Sequence, residues 1–250
     1  MGHQISRSVS LSSVPERKVI EALEQTIRSC ATCSVKPNVK LDHNLCDMCR
    51  LNNKRIQRYA EANIPVIYWH LEMEPNFQGD PSLKEKYLEI TKDLRKSYQE
   101  GVAICFAGGH GRGKTMTCCN ILKRAVEKNF SGLYVNLNDI VSVMLNRDSD
   151  DRGTARRELL MVDFLVIDEF DSRYMANDKA SDLFGKILEE IFRTRSQNSL
   201  PILMCTNDLD VKKSFTGAIK ESIDSLMNTV KTVPVLGRDQ RAVNASKGKK

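Results

Sequence analysis

Residues 108–115 read Gly108-Gly109-His110-Gly111-Arg112-Gly113-Lys114-Thr115, the spacing G-x-x-x-x-G-K-[ST]. Glycines at this density let a backbone curl inward so that successive N–H groups converge on one point, which makes an anion cradle. An apolar run at 102–107 precedes the loop and a helical pattern starts near Lys114. The loop therefore delivers its anion to free helix N–H groups and the positive end of a helix dipole. Lys114 is placed to reach β- and γ-phosphates, and the Thr115 hydroxyl to ligate Mg²⁺. Residues 108–116, from Gly108 through Met116, are the expected contacts of a nucleoside triphosphate. The rival reading is a glycine-rich turn that fits by chance. The flanking strand and helix weigh against it.

Two further segments bear on the same chemistry. Phe164-Leu165-Val166-Ile167-Asp168-Glu169 is an apolar strand that ends in two carboxylates. In a parallel sheet its tip lies on the same edge as the phosphate loop. Asp168 is then placed to hold the Mg²⁺ shell, and Glu169 to orient and polarise an attacking water. The other segment, Pro201-Ile202-Leu203-Met204-Cys205, ends in Thr206-Asn207. Its amide can position water near the γ-phosphate, or it can be an ordinary turn residue, because Asn is common at strand ends. Lys114, Asp168, Glu169 and Asn207 form the candidate catalytic set.

Cys30-Ala31-Thr32-Cys33 and Cys46-Asp47-Met48-Cys49 are two C-x₂-C pairs separated by 12 residues. Two such turns can supply four thiolates in a tetrahedron, the arrangement Zn²⁺ takes in structural sites. Four reduced structural cysteines, or two disulfides, are the alternatives, and His43 is a possible substitute ligand. Cys105, Cys118, Cys119 and Cys205 lie in apolar segments and read as core residues.

These groups need elements to position them. Short apolar runs at 102–107, 133–136, 164–168, 202–206 and 232–236 alternate with helical patterns at 114–128, 139–145, 180–195 and 211–227. Wholly apolar strands alternating with helices predict an α/β fold with a parallel sheet covered on both faces. Helices are also predicted at 13–28, opened by a Ser13–Glu16 capping box, at 47–62, and at 80–99 behind Asp80-Pro81. The domain reading is a disordered N-terminus at 1–12, a helical zinc module at 13–63, a nucleotide-binding domain at 64–241, and a basic flexible tail at 242–250.

Taken together, the three nucleotide elements resemble an AAA+ ATPase. Gly108–Thr115 resembles Walker A, Asp168-Glu169 Walker B, and Asn207 sensor 1. The nearer resemblance is to the DnaC/IstB-type branch of helicase loaders and transposition ATPases. It rests on Ile64-Pro65, on Ile191-Phe192-Arg193-Thr194-Arg195 before Pro201, on Gly237-Arg238-Asp239-Gln240-Arg241, and on the lack of a following helical lid. It covers residues 64–241. The resemblance implies an ATP-dependent helicase loader in DNA replication. Its partners would be a replicative DNA helicase, docked by the zinc module, and single-stranded DNA, and it would form an ATP-dependent homo-oligomer. Two rivals stand beside this reading: a transposition ATPase of the same branch, and a zinc-containing DNA-binding adaptor with a slow ATP switch. One departure is notable. Ser222-Ile223-Asp224-Ser225-Leu226 places Ser225 where that branch carries an arginine finger. Arg195, Lys220, Arg238 or a partner's arginine are the candidate substitutes.

Composition sets the frame. Of 250 residues, 41% are apolar and 28% charged, which suits a globular chain with a real core. No apolar run approaches the roughly 20 residues that span a bilayer, so no membrane partner is expected and a cytoplasmic location is the default; the family resemblance implies the cytoplasm of a bacterial or phage-infected cell. The net charge of +6 favours an anionic partner without naming one. Arg152, Arg156 and Arg157 are candidate single-stranded DNA contacts, with a solvated loop and helix end as the alternative. The stripe Arg50, Lys54, Arg58 can contact phosphates or an acidic partner, or be a solvated helix face. Tyr68, Trp69 and His70 either border a nucleobase or belong to the core.

Overall fold

The computed structural model describes residues 14–28, 30, 45–75, 77–144, 149–171, 178–215 and 219–240. Ser13, Cys33, His43 and the 241–250 tail lie outside them, so the capping box, the fourth thiolate and the tail are not described.

Five strands form one parallel sheet: β1 (Ala103–Ala107), β2 (Gly132–Asn136), β3 (Phe164–Asp168), β4 (Ile202–Thr206) and β5 (Lys231–Pro234), in the order β2-β3-β4-β1-β5. Pairing runs Ala107 to Thr206, Asn136 to Asp168, and Ile167 to Met204. All strands are parallel, so the loops that follow β1, β3 and β4 meet on one edge. β4 separates β1 from β3, which sets Asn207 between the phosphate loop and the acidic tip.

Successive residues of each strand serve opposite faces. Ile104, Phe106, Val166, Leu203 and Cys205 join a core built with α1 (Glu16–Arg28), α2 (Asp47–Glu61), α3 (Pro81–Lys92) and α5 (Lys114–Glu127). Cys105, Leu165, Ile167, Ile202 and Met204 face a second core. That core is built with α6 (Leu137–Met144), α7 (Ser149–Met161), α8 (Asp178–Gln197) and α10 (Ile219–Met227). Each large aliphatic side chain buried this way contributes about 1.5–3 kcal/mol, and the expected α/β architecture is present.

Three elements differ from expectation. The helix predicted over 80–99 is two helices, α3 and α4 (Leu94–Gln99), because Asp93 leaves helical geometry and its carboxylate caps Lys96 N at 2.9 Å. The helix predicted over 211–227 is likewise divided, into α9 (Val211–Ser214) and α10. α7 was read as a loop and helix end. Few of its residues are apolar, and among its described side chains Ala155 and Leu159 are fully buried.

The N-terminal helices are docked onto the sheet domain. Arg58 donates to Glu127 O at 3.0 Å and to Asn129 Oδ1 at 2.5 Å, Tyr59 bonds the Glu127 carboxylate, and Arg55 pairs with Glu127 at 3.5 Å. Tyr134 N donates to Ala62 O at 2.8 Å and Asn63 Nδ2 to Tyr134 O at 3.0 Å, which covers the open edge of β2. The Arg50–Lys54–Arg58 stripe is therefore not one solvated face. Arg58 holds α2 to α5, Arg50 donates to Leu45 O at 3.0 Å, and Lys54 is exposed.

Candidate nucleotide-binding site

Between β1 and α5 the chain makes the turn its glycines permit. Gly113, at φ +94°, caps α5 in left-handed geometry, and a Cβ on Gly108 would lie 2.2 Å from Val235 O. The loop is also held from outside. Gln240 N donates to Gly111 O at 2.8 Å, and Arg112 donates to Val235 O at 2.5 Å. Asp80, the N-cap of α3, accepts from Leu236 N and Gly237 N at 2.8 Å each; hydrogen bonds from Ser82 Oγ and Ser82 N first, and then these two, keep its carboxyl below the usual carboxylate range against the opposing effect of burial. His110 sits exposed at the loop tip.

Lys114 is buried, and burial lowers its pKa. Its ammonium donates to Gly108 O at 2.5 Å, Gly109 O at 2.8 Å and Asn207 Oδ1 at 3.2 Å. These acceptors hold a positive charge at the mouth of the cradle. Thr115 Oγ1 lies 3.2 Å from Asp168 Oδ1. Two oxygens on one edge of a Mg²⁺ octahedron with 2.1 Å bonds lie about 3.0 Å apart, so the pair fits this ion. Burial raises the Asp168 carboxyl, while Tyr134 OH at 2.7 Å and Glu169 N at 2.9 Å donate to it and favour the charged form. The next residue, Glu169, is exposed and has φ +51°. Non-glycine residues in that region are costly and cluster at functional sites.

Asp171 is a site residue that sequence reasoning missed. It is 2% exposed and accepts from Thr206 Oγ1 at 3.0 Å, Asn207 N at 3.0 Å and Asn207 Nδ2 at 2.9 Å. With its nitrogen on Asp171 and its oxygen on Lys114, the Asn207 amide can take only one orientation. The signal available in sequence was an acid three residues beyond Asp168, at the tip of the same strand.

Residues 110–116, Asp168, Glu169 and Asn207 line one cavity of about 520 Å³, within the range of small-molecule sites, with Asp171 held behind Asn207. Another wall is apolar: Pro65, Ile67, Tyr68 and Leu71, from the 3₁₀ turn Val66–Tyr68, its N-cap and the segment after it. The aromatic trio at 68–70 is divided. Tyr68 lines the cavity, whereas Trp69 is 3% exposed and donates to Ile64 O at 2.8 Å, a core position.

Cys30, Cys46 and Cys49 come together at the junction of α1 and α2, with their Sγ atoms all within 4.8 Å of one another. The Cys30 and Cys46 Sγ atoms lie 3.7 Å apart, far beyond disulfide length. Thiolates at 2.3 Å from a tetrahedral Zn²⁺ are separated by about 3.8 Å, so the spacing fits zinc. The surrounding core is small, Ile27, Leu45 and Cys49, which suits a metal staple.

Other candidates fall elsewhere. Arg195 is 0% exposed and donates to Leu159 O, Asp163 O and Pro201 O at 2.7–3.1 Å, so it is a structural residue and not a substitute arginine finger. Burial brings its pKa down to about 10. Lys220 pairs with Asp224 at 3.4 Å, and Ser225 is exposed on α10. Arg152, Arg156 and Arg157 are exposed on α7, with Arg156 paired to Glu190 of α8. No described helix is long and apolar enough to cross a membrane.

Residues 16–210 match the family described as IstB-like ATP binding protein. No curated protein matches the chain. Among solved structures, DnaI is similar with a TM-score of 0.56 and 15% identity, over 70% of this chain and 93% of that one. The DnaC helicase loader is similar at TM-score 0.53 and 15% identity, over 68% and 98%. The replication initiator DnaA bound to AMPPCP and single-stranded DNA is similar at TM-score 0.51 and 17% identity, over 63% of this chain and 46% of that one. At these identities the likeness is one of fold, the AAA+ P-loop sheet.

Proposed function

Since the chain belongs to the IstB-like ATP-binding protein family, we propose that it is an ATPase that takes up Mg·ATP in the cavity at 108–116 and works as a helicase loader. The observation that carries the ATPase reading is the convergence of Lys114, the Thr115–Asp168 pair, Glu169 and the Asp171–Asn207 unit around one cradle. The glycine loop and the first turn of α5 bind the phosphates, and Lys114 moves its charge onto their outer oxygens. Thr115 and Asp168 would hold Mg²⁺, which would neutralise charge on the phosphate oxygens. Glu169 orients the attacking water. Asn207, fixed by Asp171, presents its carbonyl oxygen to Lys114 and sets that ammonium's position. The base lies against Ile67, Tyr68 and Leu71.

The loader reading adds the fold likeness to DnaI and to the DnaC helicase loader, and a cysteine cluster suited to zinc. In this reading Cys30, Cys33, Cys46 and Cys49 hold Zn²⁺, and residues 13–63 dock a replicative helicase. The ATPase domain, 64–241, assembles into an ATP-dependent homo-oligomer. Arg152, Arg156 and Arg157 on α7 meet single-stranded DNA. With Ser225 at the finger position, hydrolysis alone is slow, and a partner supplies the missing cation. Co-precipitation with a replicative helicase, with and without Mg·ATP, tests the loader reading. Binding in neither condition refutes it. The match to an IstB-like family keeps a second reading beside it, a transposition ATPase of the same branch, which would bind duplex DNA cooperatively with ATP and ignore helicases.

A further inference from the structure

The apolar wall of the cavity is held by a side chain that does not line it. Lys123 lies on α5, nine residues past Lys114 and about 13 Å further along the helix axis. Its side chain is 1% exposed. The ammonium donates to Tyr68 O and Trp69 O at 3.2 Å each, to Leu71 O at 2.7 Å and to Glu72 Oε1 at 3.0 Å, and it sits 5.6 Å from the Tyr59 ring centre. Carbonyls at the end of a helical turn have no partners within the turn and require outside donors. Here one buried cation donates to three carbonyls; Trp69 O and Leu71 O have it in place of a backbone donor, and Tyr68 O shares it with Leu71 N at 3.3 Å.

The same stretch presents the cavity's apolar lining. Ile67 is 71% exposed and Leu71 44%, so two large aliphatic side chains stand at the cavity mouth. A three-residue 3₁₀ turn and the irregular segment after it have no strand ladder to fix them. Lys123 fixes them to the helix whose first turn closes the phosphate cradle. The spacing between cradle and wall is then set by one rigid element.

We propose that Lys123, with Glu72, is a positioning residue that fixes the nucleobase-facing wall and so sets how much the base adds to nucleotide affinity. The proposal rests on the cavity being a Mg·ATP site. A lysine that merely supports the fold would change uptake of every ligand of the cradle alike, or of none.

Calorimetry on the full chain separates these cases by comparing Mg·ATP with Mg·tripolyphosphate, which has the phosphates and no base. The wild type is expected to take up ATP at least about tenfold more tightly, a gap of about 1.4 kcal/mol. Lys123→Met keeps the aliphatic stem and loses the charge. It is expected to weaken ATP uptake about tenfold and leave tripolyphosphate within about twofold, which closes the gap. Lys123→Arg is expected to restore most of it. Because Lys123→Met strips donors from three carbonyls, Glu72→Gln and the surface substitution Ile67→Ser provide tests that leave the core intact, and both are expected to narrow the gap. An unchanged gap in folded Lys123→Met, or in Glu72→Gln should Lys123→Met not fold, overturns the proposal. So does a parallel loss of both ligands. A wild type that binds both ligands equally refutes the role of the wall while sparing the phosphate site. A wild type that binds neither refutes the nucleotide reading itself.

Discussion

Asp171→Asn tests whether the Asn207 amide is held in place for catalysis. The carboxylate uses Oδ1 for Thr206 Oγ1 and Asn207 N, and Oδ2 for Asn207 Nδ2. Substituting an amide leaves one acceptor oxygen and puts an NH₂ where the other was. If the oxygen stays on Thr206 and the backbone N–H, the new NH₂ faces the NH₂ of Asn207. Asn207 can relieve that clash only by turning over, which brings its NH₂ toward the Lys114 ammonium in place of the oxygen now 3.2 Å away. Either way one hydrogen bond to a charged group is lost, worth about 1.5–3 kcal/mol. If the whole amount is felt in the transition state, turnover falls about 10- to 160-fold. Mg·ATP affinity is expected to stay within about threefold, because the loop N–H groups and Lys114 remain. Single-turnover hydrolysis with protein in excess can follow even slow rates, and calorimetry reports binding. The reasoning is refuted if turnover stays within about twofold of wild type. It is also refuted if the losses from Asp171→Asn and Asn207→Ala multiply in the double variant, since residues acting as one unit do not add.

Lys114→Ala is expected to lower Mg·ATP affinity at least about 100-fold, as two charge-assisted contacts disappear; calorimetry with uptake unchanged would undo the site assignment. Arg195→Met removes a donor from three carbonyls, of which Pro201 O keeps Leu165 N. It should cost about 3 kcal/mol of stability, a fall in Tm of about 6–12 °C; a Tm within a degree of wild type would show that the arginine is dispensable to the fold. Cys46→Ser should abolish copurifying zinc and lower helical circular dichroism as α1 loses its tether to α2. Wild-type protein free of zinc by elemental analysis, with full helicity, would rule out the metal staple.

Much of the scaffold was legible because its signals are local. Glycine spacing and a strand ending in Asp168 each mark a candidate position within a few residues, whereas the strand ending in Asn207 fitted an ordinary turn residue equally well. The 3.6-residue pattern through Leu83, Tyr87, Ile90, Leu94 and Tyr98 continued across Asp93, and so concealed the break between α3 and α4. α7 was missed because a charged helix that buries few side chains has almost no pattern. Asp171 and Lys123 were missed for a different reason. A buried acid and a buried lysine look like surface residues in sequence, and their partners are supplied by Asn207 and by the 66–72 segment, far away in the chain. Arg195 misled in the same way, since an arginine near a helix end gives no sign that carbonyls already occupy its guanidinium.

The segment after β5 crosses the outer side of the nucleotide loop and is fastened there three times, by Arg112 at Val235 O, by Asp80 and at Gly111. Gln240 is the last point of attachment among the described residues. Any load carried by the chain beyond it, such as a fused domain, a tether or a bound polymer, would therefore strain the Gln240–Gly111 link before it strained the sheet. The molecule has a mechanical lead running from its C-terminal side into the phosphate cradle.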